Sequence, residues 1–153
     1  VPCIAGADTP FEFGKAYCVR EGKDAAIIAC GAMVYEGLVA AEMLAKEGIE
    51  CMVVNCHMIK PLDTDTIVEA AKHTGAVVTA EEHQVYGGLG GAVSETLSQK
   101  YPVPMRLIGV QDRFGESGDP DTLMEAFGLT GADISRAVRE VVAMKQDRGV
   151  AAR

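Results

Sequence analysis

The chain has 153 residues; 48% are hydrophobic and 24% are charged, and 14 basic against 22 acidic side chains give a formal charge of −8. These values suit one globular domain with one core. They exclude a nucleic-acid surface, which needs clustered Lys and Arg, and no apolar run approaches the ~18 residues of a membrane-spanning helix.

The opening stretch VPCIAGADTPFEFG lacks the basic-then-apolar order of a secretion signal. It also lacks an initiator Met, so a chain that was processed or cut from a longer one is expected, with residues 1–12 as the remnant of a linker. The cysteines are Cys3, Cys18, Cys30, Cys51 and Cys56, an odd number with no C-x-x-C spacing, which points to reduced thiols and a cytoplasmic protein.

The domain is expected over residues 13–148. KAYCVREGKDAAIIAC reads as a hairpin: Tyr17 and Val19 favour a strand, Glu21 to Asp24 a turn, and Ala25 to Cys30 a strand buried on both faces. A helix from about Met33 to Glu47 follows, with Val34, Leu38, Ala41 and Ala45 at three- and four-residue spacing and Gly48 as its stop. The unit then repeats. Cys51 to Cys56 is a second buried strand, HMIKPLD a loop, and Asp63 the N-cap of a helix that Gly75 ends. Ala76 to Glu81 is a third strand. AEEHQVYGGLGGAVSE leads from it into a helix carrying Leu89, Val93 and Leu97. Met105 to Val110 is a fourth such strand, followed by a polar loop. Asp119 and Pro120 open a short helix that Gly128 closes. Thr130 opens the last helix, with Ile134, Val138, Val141 and Lys145 in register, and residues 149–153 read as a frayed tail. This alternation predicts a mainly parallel sheet with helices on both faces, the first strand antiparallel at or near one edge.

In such sheets ligands sit at the carboxyl ends of the strands. The residues expected to line that crevice are His57, Lys60, Glu82, His83, Gly87, Gly88, Gly90 and Arg113. No complete nucleotide fingerprint is present: Gly88 and Gly90 begin a G-x-G-x-x-G pattern, but Val93 stands at its third glycine, and no P-loop occurs. The glycines therefore read as a tight turn that lets a helix approach its neighbours, with its N-terminus a weak anion site. Of the acids beside it, alternation allows only Glu81 and His83 to share a face, and a structural or interface role is expected for them. Three histidines are too few and too scattered for a metal site, and none is expected. Cys56 and His57, being adjacent, are poorly placed as a nucleophile–base pair.

Four segments in order, TPFEFGKAYCVREGKDAAIIACGAMVYEGLVAAEMLAKEGIE, HMIKPLDTDTI, AEEHQVYGGLGGAVSE and DRFGESGDPDTLMEAFGLT, resemble the C-terminal domain of transketolase, above all that of two-chain transketolases. The resemblance runs from about Thr9 to Ala143. It implies a three-layer α/β/α domain around a mixed, mostly parallel five-stranded sheet with one antiparallel strand. It further implies ketol transfer between sugar phosphates by a complete enzyme of the pentose phosphate pathway, carried by thiamine diphosphate and a divalent metal (Mg or Ca). The family's G-D-G…N-N motif and its ring-activating glutamate belong to other domains. Here the only G-D is Gly118-Asp119, followed by Pro120, and Asn55 is the sole asparagine. The resemblance thus implies a non-catalytic domain that binds no cofactor itself and works by packing on preceding cofactor-binding domains or a separate subunit, and by supporting a homodimer. The other readings are the equivalent domain of 1-deoxyxylulose-5-phosphate synthase or of a 2-oxoacid dehydrogenase E1 β subunit, and a free-standing anion- or nucleotide-binding module.

Overall fold

The structure is a computed structural model and describes residues 2–151. In chain order the elements are β1 (Tyr17–Arg20), β2 (Ala25–Ala29), α1 (Met33–Ala45), β3 (Cys51–Asn55), α2 (Thr64–Thr74), β4 (Val77–Gln84), α3 (Leu89–Lys100), β5 (Met105–Val110), α4 (Pro120–Ala126) and α5 (Gly131–Ala151). The strands form one sheet in the order β1-β3-β2-β4-β5; every pair is parallel except β1, which runs antiparallel on β3 at the edge.

Strand alternation divides the core into two layers. Ala25, Ile27 and Ala29 of β2 face α1 and α5, where they meet Val34, Leu44, Ile134 and Val138. Ala26 and Ile28 face α2 and α3, where Ile67, Leu89, Val93 and Leu97 pack. β2 is fully buried because it lies mid-sheet with both faces covered, which is why its sequence is an unbroken apolar run. No helix among the described residues is long and apolar enough to cross a membrane.

The expected caps are in place. The Asp63 carboxylate accepts the N–H of Thr66, and Gly75 closes α2 in the left-handed conformation at φ +71°. Asp119 accepts the N–H of Thr122, with Pro120 in the first turn of α4. At α5, Asp133 accepts the N–H and hydroxyl of Thr130.

Three expectations are corrected. β1 and β2 do not form a hairpin: the chain leaves β1, crosses the start of β3 and enters β2 beyond it. The N–H groups of Lys23 and Asp24 both donate to the Glu50 carbonyl there. Gly22 makes the crossing possible, since a Cβ at that position would overlap the Cys51–Met52 backbone. β4 runs on to Gln84 rather than ending near Glu81, with a bulge that sets three of its residues, Glu81 to His83, against Gly109 alone between the Ala80–Ile108 and Gln84–Val110 pairs. Helix α5 continues to Ala151, so residues 149–151 of the expected tail are helical; residues 152 and 153 lie outside the described residues.

Candidate functional site

The carboxyl end of the sheet is the natural place for a site, and the β4–α3 turn is its most unusual feature. The β4 bulge turns Glu81 inward, where its side chain is fully buried. Gly109 stands opposite on β5, where a Cβ would press on Val85 and on the His83 carbonyl. The Glu81 carboxylate accepts the N–H of Leu89 at 2.7 Å through Oε2 and the N–H of Gly90 at 2.8 Å through Oε1. These are the first free N–H groups of α3, so a carboxylate of the chain itself fills the anion position at that helix N-terminus. His83 Nδ1 lies 3.5 Å from Glu81 Oε2, so these two do share a face. Gly88 is required here because a Cβ would run into the Glu81 carboxylate, and Gly87 turns the chain at φ +79°. The turn does not fit a diphosphate: the Leu89 and Gly90 N–H groups that would face it are already engaged by Glu81. Nor do any three His, Cys, Asp or Glu side chains gather as a metal-binding group among the described residues.

The other predicted residues fall in separate places. Glu82 sits at the mouth of a crevice of about 520 Å³ over the ends of β4 and β5, floored by Val110, Leu123, Phe127 and Leu129. Arg113 borders this crevice, its guanidinium 4.0 Å over the Phe127 ring and paired with Glu116 at 2.9 Å. Gln84 ties the loop down: its amide donates to the Arg113 carbonyl at 2.8 Å, and its oxygen accepts the Asp112 N–H at 3.0 Å. Lys60 lies apart, on a groove between the β3–α2 loop and α3 that Glu95 and Gln99 also line. His57, at the end of β3, joins an aromatic cluster. Its ring centre is 5.1 Å from that of Phe11 and 5.9 Å from that of Tyr17, and its Nε2 is 3.2 Å from the Glu12 carbonyl oxygen. Glu82 thus lines the crevice, which Arg113 meets only through Phe127 and Glu116; Gly88, Gly90 and His83 lie against Glu81, Gly87 turns the chain beside them, and Lys60 and His57 stand elsewhere.

Two groups escaped the sequence reading. Gln84 looked like a loop residue, and Asn55 like part of an apolar strand. The only local signal for Asn55 was a lone amide at the end of a run of buried apolar residues. The thiols nearby are not poised for chemistry. Burial pushes Cys30 up to about 12, aided by the charges of Glu81, Cys56 and Glu82, and it pushes Cys56 up to about 11.

The family model "Transketolase, C-terminal domain" matches residues 14–134. A 6-deoxy-6-sulfo-D-fructose transketolase subunit, SqwH, of Clostridium sp. (strain MSTE9) is 51% identical over 95% of this chain and 45% of its own length. A 1-deoxy-D-xylulose-5-phosphate synthase of Trichormus variabilis (strain ATCC 29413 / PCC 7937) is 42% identical over 95% of this chain and 23% of its own. A split-gene transketolase solved as an inactive β4 tetramer superposes with a TM-score of 0.91 at 48% identity, over 95% of this chain and 48% of that one. The chain therefore spans less than half the length of these relatives. By the family match and by its fold, it belongs to the transketolase C-terminal domain family.

Proposed function

We propose that this chain is the C-terminal, non-catalytic unit of a thiamine-diphosphate-dependent transketolase, in which a two-carbon ketol unit passes between sugar phosphates. The observation that carries this reading is the closure of the α3 N-terminus by Glu81. A fold whose glycine turn could have cradled an anion uses it for internal packing instead. In this reading thiamine diphosphate and its divalent metal, Mg or Ca, reside on the preceding domains or on a separate subunit. Residues 13–148 pack against that part and support a dimer, and residues 1–12 connect to it. His57, Lys60, Glu82, His83 and Arg113 then serve contacts at the carboxyl end of the sheet rather than bond-making. The 51% identical relative is named for a 6-sulfo sugar, which widens the donor from sugar phosphates to ketoses with an anionic terminal group.

A second reading, the equivalent unit of a 1-deoxyxylulose-5-phosphate synthase, is favoured by the 42% identity to such a synthase. Assaying the chain together with its cofactor-carrying companion separates the two. Ketol transfer from fructose 6-phosphate or 6-deoxy-6-sulfofructose, without condensation of pyruvate with glyceraldehyde 3-phosphate, is the expected result. Condensation of pyruvate without ketol transfer would establish the second reading instead.

A further inference from the structure

The chain leaves β2 for α1 on one face of the sheet and leaves β4 for α3 on the opposite face, although β2 and β4 are neighbours. In parallel sheets the loops part at such a switch, and the gap between them is where ligands bind. Glu82, near the end of β4, stands beside it: a Cβ built on Gly31, in the β2–α1 turn, would lie 3.5 Å from its Oε2. From Glu82 the crevice of about 520 Å³ runs across the ends of β4 and β5 to α4. Small-molecule sites span roughly 300–1,000 Å³.

Two further observations give the chemistry of an occupant. The first is apolar. Leu123 and Met124 of α4 and Phe127 beyond it are only half-buried, and α4 has no buried residue. With Val110 and Leu129 they floor the crevice. The apolar side of this helix is thus left for something else to cover. The second is charge. Two acids line the crevice, Glu82 and Glu116. Arg113 neutralises Glu116 at 2.9 Å, whereas Glu82 is exposed and pairs with no cation among the described residues. The nearby cationic candidates are committed elsewhere: Lys60 lines the separate groove beside α3, and His83 turns its Nδ1 to Glu81. An anion would meet an uncompensated carboxylate. It would also find the N–H groups of Thr122, Thr130 and Gly131, at the helix starts beside the crevice, already held by acids of the chain.

We propose that this crevice binds a small organic cation, an ammonium or amidinium group on an aromatic or aliphatic body. The cationic head sits against Glu82, and the body covers Leu123, Met124 and Phe127. Apolar burial supplies most of the affinity, and the carboxylate selects the sign of the charge. The site does not depend on the functional reading above, because every group it uses lies within this chain and none is assigned to ketol transfer.

Tryptamine, an indole body with an ammonium head, is the probe; indole-3-propionate carries the same body with a carboxylate. The chain has no tryptophan, so indole emission reports binding, and NMR of the Val110 methyl groups and the Phe127 ring locates it. Saturable binding of tryptamine is expected, about five- to ten-fold tighter than that of indole-3-propionate. Glu82→Gln should weaken tryptamine about two- to five-fold and abolish that preference. Leu123→Ala, on a helix with no buried residue, should weaken both compounds about three- to ten-fold. Equal affinity for the two compounds, tryptamine binding unchanged in Glu82→Gln, or no saturable shift at Val110 and Phe127 would each overturn the proposal. So would displacement of tryptamine by the cofactor-carrying companion, which would give the crevice to a contact between the two parts.

Discussion

Glu81 is a carboxylate with no exposed surface, tolerated because two backbone N–H groups and the positive end of α3 surround it. Glu81→Gln keeps the shape but turns an amide towards a donor, so that one of the two N–H groups loses its acceptor. A loss of about 1–3 kcal/mol in stability is expected. Gly88→Ala, which drives a methyl group into the same carboxylate, should cost about 2–3 kcal/mol. Chemical denaturation of both variants checks this; unchanged midpoints would mean that the carboxylate does not hold the helix. This contact was half legible in the sequence. Alternation put Glu81 and His83 on one face, and the glycines announced a turn before a helix. The bond itself joins residues eight and nine apart, across a bulge that no local pattern encodes. The same limit hid Asn55, whose partner is Tyr17, the first residue of β1, 38 positions earlier.

Helices and strands were most legible where their signals are local. Asp63, Asp119 and Thr130 each act within three residues: the two carboxylates accept the N–H groups of Thr66 and Thr122, and the Thr130 hydroxyl accepts that of Asp133. The antiparallel edge position of β1 was legible, but its partner was not, because the strand it pairs with comes more than thirty residues later and the intervening turn looks like a hairpin. Asp63 does more than cap α2: it also accepts the Ala16 N–H at 3.0 Å and the Thr66 hydroxyl at 2.7 Å, tying the approach to β1 onto the helix. Burial pushes its carboxyl upward, but the N–H of Ala16 and both Thr66 donors outweigh that and hold it below the ordinary 3.8. A group whose folded pKa is depressed stabilises fully above its unfolded value and loses that contribution as the pH falls through the folded one. Stability should therefore decline below about pH 4, and Asp63→Asn should flatten that decline while costing about 1–2 kcal/mol at neutral pH. Thermal melts across the acid range decide it; parallel pH profiles for the two proteins would contradict the assignment. At the opposite end of the sheet, Lys145 of α5 donates to the carbonyls of Asp24 and Thr74 at 2.7 and 2.8 Å, joining the start of β2 to the end of α2. Lys145→Met should lower stability by about 1.5–3 kcal/mol, read as a shifted denaturation midpoint. The periodic pattern had marked Lys145 as in register with the apolar face, and its apolar stem with a bonded head explains why a lysine belongs there.

Taken whole, the molecule is a closed three-layer core with an unfinished end. One layer of helices, α1 and α5, and the other, α2 and α3, cover both faces of the sheet. The carboxyl end keeps aromatic residues in solvent and acceptors without donors. That asymmetry fits the proposed role of one unit in a larger enzyme, and the chain spans less than half the length of its relatives. The most direct measurement is calorimetric titration of the isolated chain with thiamine diphosphate in the presence of Mg²⁺. The account predicts no saturable binding, because the Leu89 and Gly90 N–H groups at the glycine-rich start of α3 are already held by Glu81. Saturable binding that Glu81→Gln or Gly88→Ala altered would contradict it.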